Sequence, residues 1–250
     1  MNVPFLDLKA GLKSIRAEVD AAVAGVFDRC DFVLGEAVSK LEHEIAGYCG
    51  VPHAIAVASG TDALKVPLRA FGVGPGDEVL TSPLTFIATA EAVCSMGAKP
   101  VFIDVSPETY NIDPAKIQEF IDTSCEADAE TGELRNKATG ARVAGIIPVH
   151  LFGQCADMDA INEIAGKHKL FVLEDACQAF GAAYTAGGAP VKSGALGTAA
   201  AFSFYPSKNL GGAGDGGIIV TADAALAQSC RTLRVHGAVR AYDHTEHGFN

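Results

Sequence analysis

The sequence contains no apolar run that approaches the roughly 20 residues needed to cross a lipid bilayer. Its first ten residues also lack the basic segment followed by an apolar segment that marks a secretory signal peptide. Both absences argue against a membrane-spanning or secreted protein. We therefore expect a cytoplasmic location and no membrane partner.

Paired cysteines are also missing, since none of the seven cysteines forms a C-x-x-C motif and their number is odd. Disulfide frameworks and zinc sites use paired cysteines at characteristic spacings. The pattern argues against both kinds of site and predicts isolated buried thiols.

Basic residues are few, with 19 against 30 acidic residues and a formal net charge of −11. Such a balance repels a phosphate backbone unless a local basic patch compensates for it, and the sequence has no such patch. We therefore expect no nucleic-acid partner. A few local donors can still hold an anionic small molecule.

From about residue 54 the chain alternates short β-rich runs with helical patterns. This alternation is typical of a mostly parallel sheet covered by helices on both faces. The predicted strands are Ala54–Ala58, Glu78–Thr81, Lys99–Asp104, Val143–Val149, Leu170–Glu174, Ala199–Ser203 and Gly217–Thr221. The predicted helices include Ser39–Tyr48, Asp62–Phe71, Phe86–Met96, Ala160–His168 and Ala224–Arg234, and the pattern before residue 50 is also helical.

One stretch, Asp122–Arg142, interrupts this alternation because it is polar and lacks a periodic apolar face. Two Thr-Gly steps within it indicate turns. We predict a surface excursion that forms a loose hairpin or a loop.

The first chemical signal is the junction A-I-A-V-A-S-G-T-D-A-L, where a buried strand passes into a helix. Gly60 supplies a tight turn, and Thr61 or Asp62 can cap the helix. The free N–H groups at such a helix start, together with the helix dipole, favour a bound phosphate. The same turn also occurs in α/β proteins that bind nothing. Pro67 lies inside the predicted helix, where it predicts a kink or a late start.

An aromatic ring follows the next strand in L-T-S-P-L-T-F-I-A-T-A. Side chains at the carboxyl edge of a parallel sheet face the ligand crevice, so Phe86 can stack on a flat heterocycle. By itself, however, the residue fits a core position better.

Two adjacent carboxylates, Glu174 and Asp175, end the buried strand in L-F-V-L-E-D-A-C-Q. A buried carboxylate is costly without a partner, which a protonated ring nitrogen can provide. The alternatives for Asp175 are to cap a following helix or to bind a metal. Gln178 lies about one helical turn later, on the same side as Asp175. His150 ends another strand at the crevice edge and fits a structural role better than a substrate contact.

The last signal is A-F-S-F-Y-P-S-K-N-L-G-G-A-G-D-G-G, in which a strand ends at Ser203 and a turn presents Lys208 ahead of five glycines. A lysine in a buried site can lose its proton and act as an imine-forming amine or a general base. Glycines let the backbone pass close to a ligand. A lysine without such neighbours is ordinarily a surface residue.

Taken in order, S-G-T-D-A-L, T-F-x-A-T, E-D-A-C-Q and F-S-F-Y-P-S-K-N-L-G-x-x-G-D-G-G resemble the motifs of the DegT/DnrJ/EryC1/StrS family of sugar aminotransferases, which use pyridoxal 5'-phosphate (PLP). The resemblance covers essentially the whole chain. It implies an α/β protein of aminotransferase fold type I, with a three-layer α/β/α large domain and a mostly parallel mixed sheet. Residues 1–250 then form an N-terminal segment plus the large PLP-binding domain. Family members continue into a small C-terminal domain, so we expect this chain to be a truncated copy without it.

The family implies the chemical roles of three residues. Lys208 forms the Schiff base with PLP and moves the proton between substrate and cofactor. Asp175 pairs with the pyridine nitrogen, and Gln178 bonds the phenolic oxygen of the cofactor.

The family also implies roles in binding the ring face and the phosphate. Phe86 stacks on the ring, and Gly60, Thr61 and Ser203 bind the phosphate. Asn250 matches an asparagine that reaches the phosphate of the neighbouring subunit, which implies a homodimer with shared active sites.

The substrates implied are an amino donor, glutamate, and a keto-sugar linked to a nucleotide. The segments G-Q-C-A-D-M-D-A-I and G-V-G-P-G-D-E-V resemble the branch that acts on UDP-2-acetamido-2-deoxy-3-oxo-glucuronate in surface-polysaccharide biosynthesis.

Three other functions stay open. The same family includes PLP-dependent dehydratases, in which histidine replaces this lysine, and aromatic amino-acid synthases that keep it. A non-catalytic regulatory protein that retains the fold is the third. Lys208 weighs against the first, and the joint presence of Lys208, Asp175 and Gln178 weighs against the third.

Overall fold

The computed structural model of the chain describes residues 3–4, 6–186, 188–240 and 242–250. The helices are α1 Leu8–Arg29, α2 Glu36–Cys49, α3 Gly60–Ala70, α4 Ala88–Ser95, α5 Pro114–Ser124, α6 Met158–His168 and α7 Ala224–Leu233. The strands are β1 His53–Val57, β2 Asp77–Thr81, β3 Lys99–Phe102, β4 Cys125–Ala127, β5 Leu134–Asn136, β6 Arg142–Ile147, β7 Phe171–Asp175, β8 Ala183–Ala186, β9 Ala189–Lys192, β10 Ala199–Ser203, β11 Gly217–Thr221, β12 Ala238–Arg240 and β13 Asp243–His244. A short 3-10 helix covers Leu151–Gly153.

The central sheet has the strand order β1-β11-β10-β7-β6-β2-β3. Strands β10, β7, β6, β2 and β3 are parallel to their neighbours in that part of the sheet, whereas β11 is antiparallel to both β1 and β10. Two reversals restore the direction, so β1 runs the same way as the parallel strands. Their carboxyl ends therefore share one edge of the sheet.

Helices cover both faces of this sheet and bury its alternating side chains. On one face α3, α4 and α7 pack on a cluster that includes Leu64, Val93 and Ile219. On the other face α5 and α6 pack on a second cluster and α2 on a third, which contains Ile218 and Val220. Neighbouring strand residues point to opposite faces, which explains why Ile219 and Ile218 belong to different clusters. The predicted three-layer α/β/α architecture with a mostly parallel mixed sheet is confirmed.

Short polar side chains start several of these helices. The side chains of Ser59, Asp113, Asp157 and Asp223 each accept a hydrogen bond from a backbone N–H in the first turn of the helix that follows. These bonds satisfy donors that have no partner inside the helix. Pro67 lies within α3, but the helix starts at Gly60, seven residues before the proline, so the predicted late start is wrong.

The predicted polar excursion, Asp122–Arg142, contains a hairpin, which is one of the two forms predicted for it. Strands β4 and β5 pair antiparallel, and β5 also pairs with β6, which attaches the hairpin to the central sheet. Glu78 is buried beneath it and accepts hydrogen bonds from Asn136 Nδ2 at 2.8 Å and Thr139 Oγ1 at 3.0 Å. The hairpin is therefore anchored rather than loose.

Helix α1 differs from the other long helices because all its residues are at least partly exposed. Its apolar side chains recur at helical spacing and include Leu8, Leu12, Ile15, Val23 and Phe27. We call this row the α1 stripe.

The thiols are free in the described structure, but not all are buried as predicted: Cys30 and Cys94 are exposed. Neither lies in the sheet, because Cys30 follows α1 and Cys94 lies in the last turn of α4. Among the described residues, no helix combines the length and the apolar character needed to cross a membrane.

Candidate functional site

A cavity of about 520 Å³ opens where the strands of the central sheet end at their shared carboxyl edge. Its walls come from the segments that follow β1, β2, β6, β7 and β10. This is the edge at which open α/β sheets bind ligands. Seven of the eight predicted site residues line it: Gly60, Thr61, Phe86, Asp175, Gln178, Ser203 and Lys208.

One end of the cavity is formed by the amino terminus of α3. Ser59 caps this helix, since its Oγ accepts from the N–H of Asp62 at 3.1 Å. The N–H groups of Gly60 and Thr61 have no acceptor within the helix and are available to an anion. A Cβ added at Gly60 would lie only 2.5 Å from Ser203 Cβ, so glycine is required for this close approach of α3 to β10.

Asp175 lies on the cavity floor with 6% of its surface exposed. Its Oδ2 accepts from Thr89 Oγ1 at 2.7 Å, and its Oδ1 accepts from the N–H of Cys177 at 3.3 Å. A turn rather than a helix follows β7, so the predicted alternative of a helix cap is wrong. Within the described ranges, no three His, Cys, Asp or Glu side chains are grouped to hold a metal ion.

The neighbouring carboxylate, Glu174, points to the opposite face of the strand and is fully buried. It accepts from the N–H groups of Gly194, Leu196 and Gly197 at 2.7–2.8 Å. His150 Nε2 lies 2.9 Å from Glu174 Oε2, and His150 Nδ1 accepts from Ala156 N–H, which places the ring proton on Nε2. Glu174 and His150 are therefore structural, as expected for His150.

Phe86 forms an exposed wall of the cavity with 67% of its surface accessible, so its interpretation as a core residue is wrong. The sequence predicted a helix over Phe86–Met96, but α4 starts at Ala88, so Phe86 lies in the loop before the helix. Because α4 starts two residues later, the ring projects from the loop above the sheet edge. Its flat face is available for stacking.

Gln178 contributes its side-chain amide to the same cavity. Its Oε1 accepts from the N–H of Phe152 at 3.2 Å. This contact leaves the Nε2 amide as the group available to donate to a ligand.

Lys208 is held in the cavity by the turn after β10. The backbone N–H of Lys208 donates to the carbonyl of Tyr205 at 2.8 Å, and the N–H of Gly212 donates to the carbonyl of Phe204 at 2.7 Å. The side chain is half-buried and lines the cavity together with Asp175. Burial raises the pKa of the nearby Cys177 thiol well above its usual value, and the positive charge of Lys208 opposes part of that rise.

Asn250 is the predicted site residue that the structure does not bring to this cavity. It lines a separate cavity of about 350 Å³ together with Arg234, His236 and Phe249. Its implied role, contact with the phosphate of a second subunit, involves a partner chain and stays a prediction.

Sequence reasoning missed several residues that line the cavity: Thr85, Thr89, Cys177, Tyr205, Ser207 and Asp215. A signal existed for one pair, because Thr85 and Thr89 are four residues apart and Thr89 lies in the first turn of α4. Residues at this spacing face the same side of a helical turn.

The fold is that of the PLP-dependent aminotransferases of fold type I. The sequence matches the DegT/DnrJ/EryC1/StrS aminotransferase family over residues 13–250. The chain belongs to this family.

Among curated proteins, the chain is 46% identical over 250 residues to the "pleiotropic regulatory protein" of Geobacillus stearothermophilus, covering 100% of this chain and 61% of the relative. It is 43% identical to the UDP-2-acetamido-2-deoxy-3-oxo-D-glucuronate aminotransferase of Pseudomonas aeruginosa, covering 99% and 63%. Among solved structures, DesV of S. venezuelae in complex with a ketimine intermediate superposes with a TM-score of 0.87 at 43% identity, covering 99% of this chain and 61% of that one. The chain thus spans less than two thirds of the length of these relatives.

Proposed function

We propose that this chain is the large domain of a PLP-dependent aminotransferase that moves an amino group from glutamate to a nucleotide-linked keto-sugar. The observation that carries this proposal is a single cavity that combines the amine of Lys208, the buried carboxylate of Asp175 and the free N–H groups at the start of α3. These three features match the aldehyde, the ring nitrogen and the phosphate of PLP.

The shape and chemistry of the cavity fit the cofactor. Its volume of about 520 Å³ lies in the range of ordinary small-molecule sites. The N–H groups of Gly60 and Thr61 and the hydroxyl of Ser203 would hold the phosphate at one end. Phe86 would cover the ring face, and the Nε2 amide of Gln178 would donate to the phenolic oxygen.

The chemistry of the reaction then divides between the cofactor and the chain. PLP supplies an electron sink for the bonds at the substrate α-carbon. Lys208 Nζ would bind the cofactor covalently and, as a free amine, would carry a proton to and from the substrate α-carbon. Asp175 would stabilise a positive charge on the ring nitrogen, and this charge makes the ring a better acceptor of electrons.

For the substrates, the support comes from relatives rather than from the cavity itself. The relative from Pseudomonas aeruginosa is named for a UDP-linked 3-oxo sugar acid. We propose the same class for this chain, a nucleotide-linked keto-sugar, with the UDP-linked 3-oxo uronate as the first acceptor to assay. The cytoplasmic location stays a prediction.

A regulatory role is a second candidate, because the relative from Geobacillus stearothermophilus is named a pleiotropic regulatory protein. The cavity favours catalysis instead. A protein that only bound a partner would need neither a lysine turned into the cavity nor a buried carboxylate opposite it.

We also propose that two copies of the chain form a homodimer. The α1 stripe exposes large apolar side chains along the 22 residues of the helix. Exposed to water, these apolar side chains contribute no stability, whereas a second copy of the chain can bury them. A homodimer would also explain why Asn250 lies outside the cavity of its own chain, since its implied contact is with the partner's phosphate.

The aminotransferase proposal predicts a half-reaction that needs no sugar. The purified chain supplied with PLP should absorb visible light, and L-glutamate should abolish that band and release 2-oxoglutarate. Release should stop at one equivalent per bound cofactor until a keto-sugar acceptor is added. A protein that binds PLP and gives no 2-oxoglutarate would support the regulatory candidate instead.

The homodimer predicts a matched response to charge on α1. Leu12→Glu with Ile15→Glu places two charges in the α1 stripe and should convert a dimer to a monomer in sedimentation velocity. Ala17→Glu with Ala21→Glu adds the same two charges on the opposite side of the helix and should leave the dimer intact. Equal dissociation by both pairs, or a wild-type monomer, would contradict the proposal.

A further inference from the structure

A chain of two hydroxyl groups leads to the carboxylate on the cavity floor. Thr85 Oγ1 lies 2.8 Å from Thr89 Oγ1, and Thr89 Oγ1 lies 2.7 Å from Asp175 Oδ2. Thr89 is fully buried in the first turn of α4. Asp175 Oδ1 accepts from the backbone N–H of Cys177, whereas Oδ2 accepts from the hydroxyl of Thr89.

The direction of this chain follows from the number of protons. A threonine hydroxyl has one proton, and an ionised carboxylate can only accept. Thr89 therefore donates to Asp175, and Thr85 must donate to Thr89. Each donation polarises the next hydroxyl and strengthens the bond to the carboxylate.

The distances show which acceptor Thr89 prefers. The carbonyl of Phe86 is also near Thr89 Oγ1, at 3.3 Å, and is the usual acceptor for a threonine within a helix. The carboxylate at 2.7 Å is closer and lies in the range of charge-assisted bonds. The hydroxyl of Thr89 therefore donates to Asp175 rather than to the carbonyl of Phe86.

We propose that Thr89 is a positioning residue, supported by Thr85, that orients the Asp175 carboxylate toward the ring nitrogen of the cofactor. The inference rests on the proposed function. With Oδ2 held by Thr89 and Oδ1 held by the N–H of Cys177, the plane of the carboxylate is fixed. Thr89 acts only through this carboxylate and touches no reacting atom.

The test is a double-mutant cycle that measures the dissociation constant of PLP by absorbance titration, without substrate. Thr89→Val keeps the shape of the side chain and removes the hydroxyl. It should weaken PLP binding about tenfold or more, as expected for a hydrogen bond to a charged group. In the Asp175→Asn background the same change should cost less than about twofold, because the charge through which Thr89 acts is gone.

Three matched variants separate positioning from packing. Thr89→Ser retains the hydroxyl and should restore most of the affinity, and Thr85→Val should weaken binding less than Thr89→Val does. Thr221→Val removes a comparable buried hydroxyl, which donates to the carbonyl of Thr198 at 2.7 Å at the opposite edge of the sheet. It should lower thermal stability without changing the PLP dissociation constant.

The remaining outcomes distinguish failure of the positioning role from failure of the aminotransferase proposal. Equal losses from Thr89→Val in both backgrounds, or failure of Thr89→Ser to restore affinity, would overturn the positioning role and leave the aminotransferase proposal standing. A wild-type chain that binds no PLP would overturn both.

Discussion

Replacing Lys208 by alanine should abolish the visible absorbance of the PLP-loaded protein and lower the rate of glutamate deamination by at least about 10³-fold. The variant loses both the nucleophile that holds the cofactor covalently and the group that carries the substrate proton. Acid–base catalysis alone contributes about 10²–10⁴-fold in enzymes. The rate of 2-oxoglutarate release under single-turnover conditions gives the measurement.

Covalent attachment can be located independently of turnover. Borohydride reduction of the PLP-loaded wild type should add one cofactor to the peptide that contains Lys208, seen by mass spectrometry. Lys208→Arg keeps the positive charge but cannot form the bond, and it should be as inactive as Lys208→Ala. Lys167→Ala, an exposed lysine on α6 that pairs with Glu163, should behave like the wild type. Attachment to a different lysine would contradict the assignment.

Replacing Asp175 by asparagine should lower the same rate by about 10²-fold to 4 × 10³-fold, with little change in thermal stability. Loss of one partner from a buried charge pair costs about 3–5 kcal/mol, and each 1.4 kcal/mol is a factor of ten. The charge pair exists only when the cofactor is bound, so the apo protein loses little. Single-turnover kinetics and thermal melting of the apo protein measure the two quantities.

The neighbouring carboxylate provides the matched control. Glu174→Gln should lower the melting temperature of the apo protein, because the glutamine NH₂ faces donors where Glu174 accepts three N–H groups and His150. The PLP-bound fraction that stays folded should keep most of its rate. A loss of rate without a loss of stability in Glu174→Gln would show that the two carboxylates have been assigned in the wrong order.

The strands were predictable because a buried parallel strand leaves a strong pattern of apolar and β-branched residues. All seven central strands occur within two residues of their predicted bounds. The sheet order was not predictable from that pattern, since the antiparallel placement of β11 between β1 and β10 depends on contacts distant in sequence.

The candidate site was predictable where a motif brings chemistry and turn geometry together, as around Lys208 and Asp175. It was not predictable where tertiary contacts decide. Phe86 is exposed because α4 starts later than its sequence pattern indicates, and Thr89 matters because β7 places a carboxylate beside it. The family resemblance assigned Asp175, and not Glu174, to the ring nitrogen, and the alternation of the strand gives the physical reason, because Glu174 points to the opposite face.

The close approach of α3 to β10 and β11 determines when during synthesis the proposed phosphate cradle, formed by Gly60, Thr61 and Ser203, can exist. Gly60 packs against Ser203, and Gly217 approaches the backbone of Ser59 so closely that a side chain there would collide. The cradle is therefore finished only after about 150 further residues have left the ribosome and joined the sheet. A nascent chain cannot capture the cofactor early. Cofactor binding, which stabilises only a chain that has reached this topology, reports that the last strand of the central sheet has been inserted.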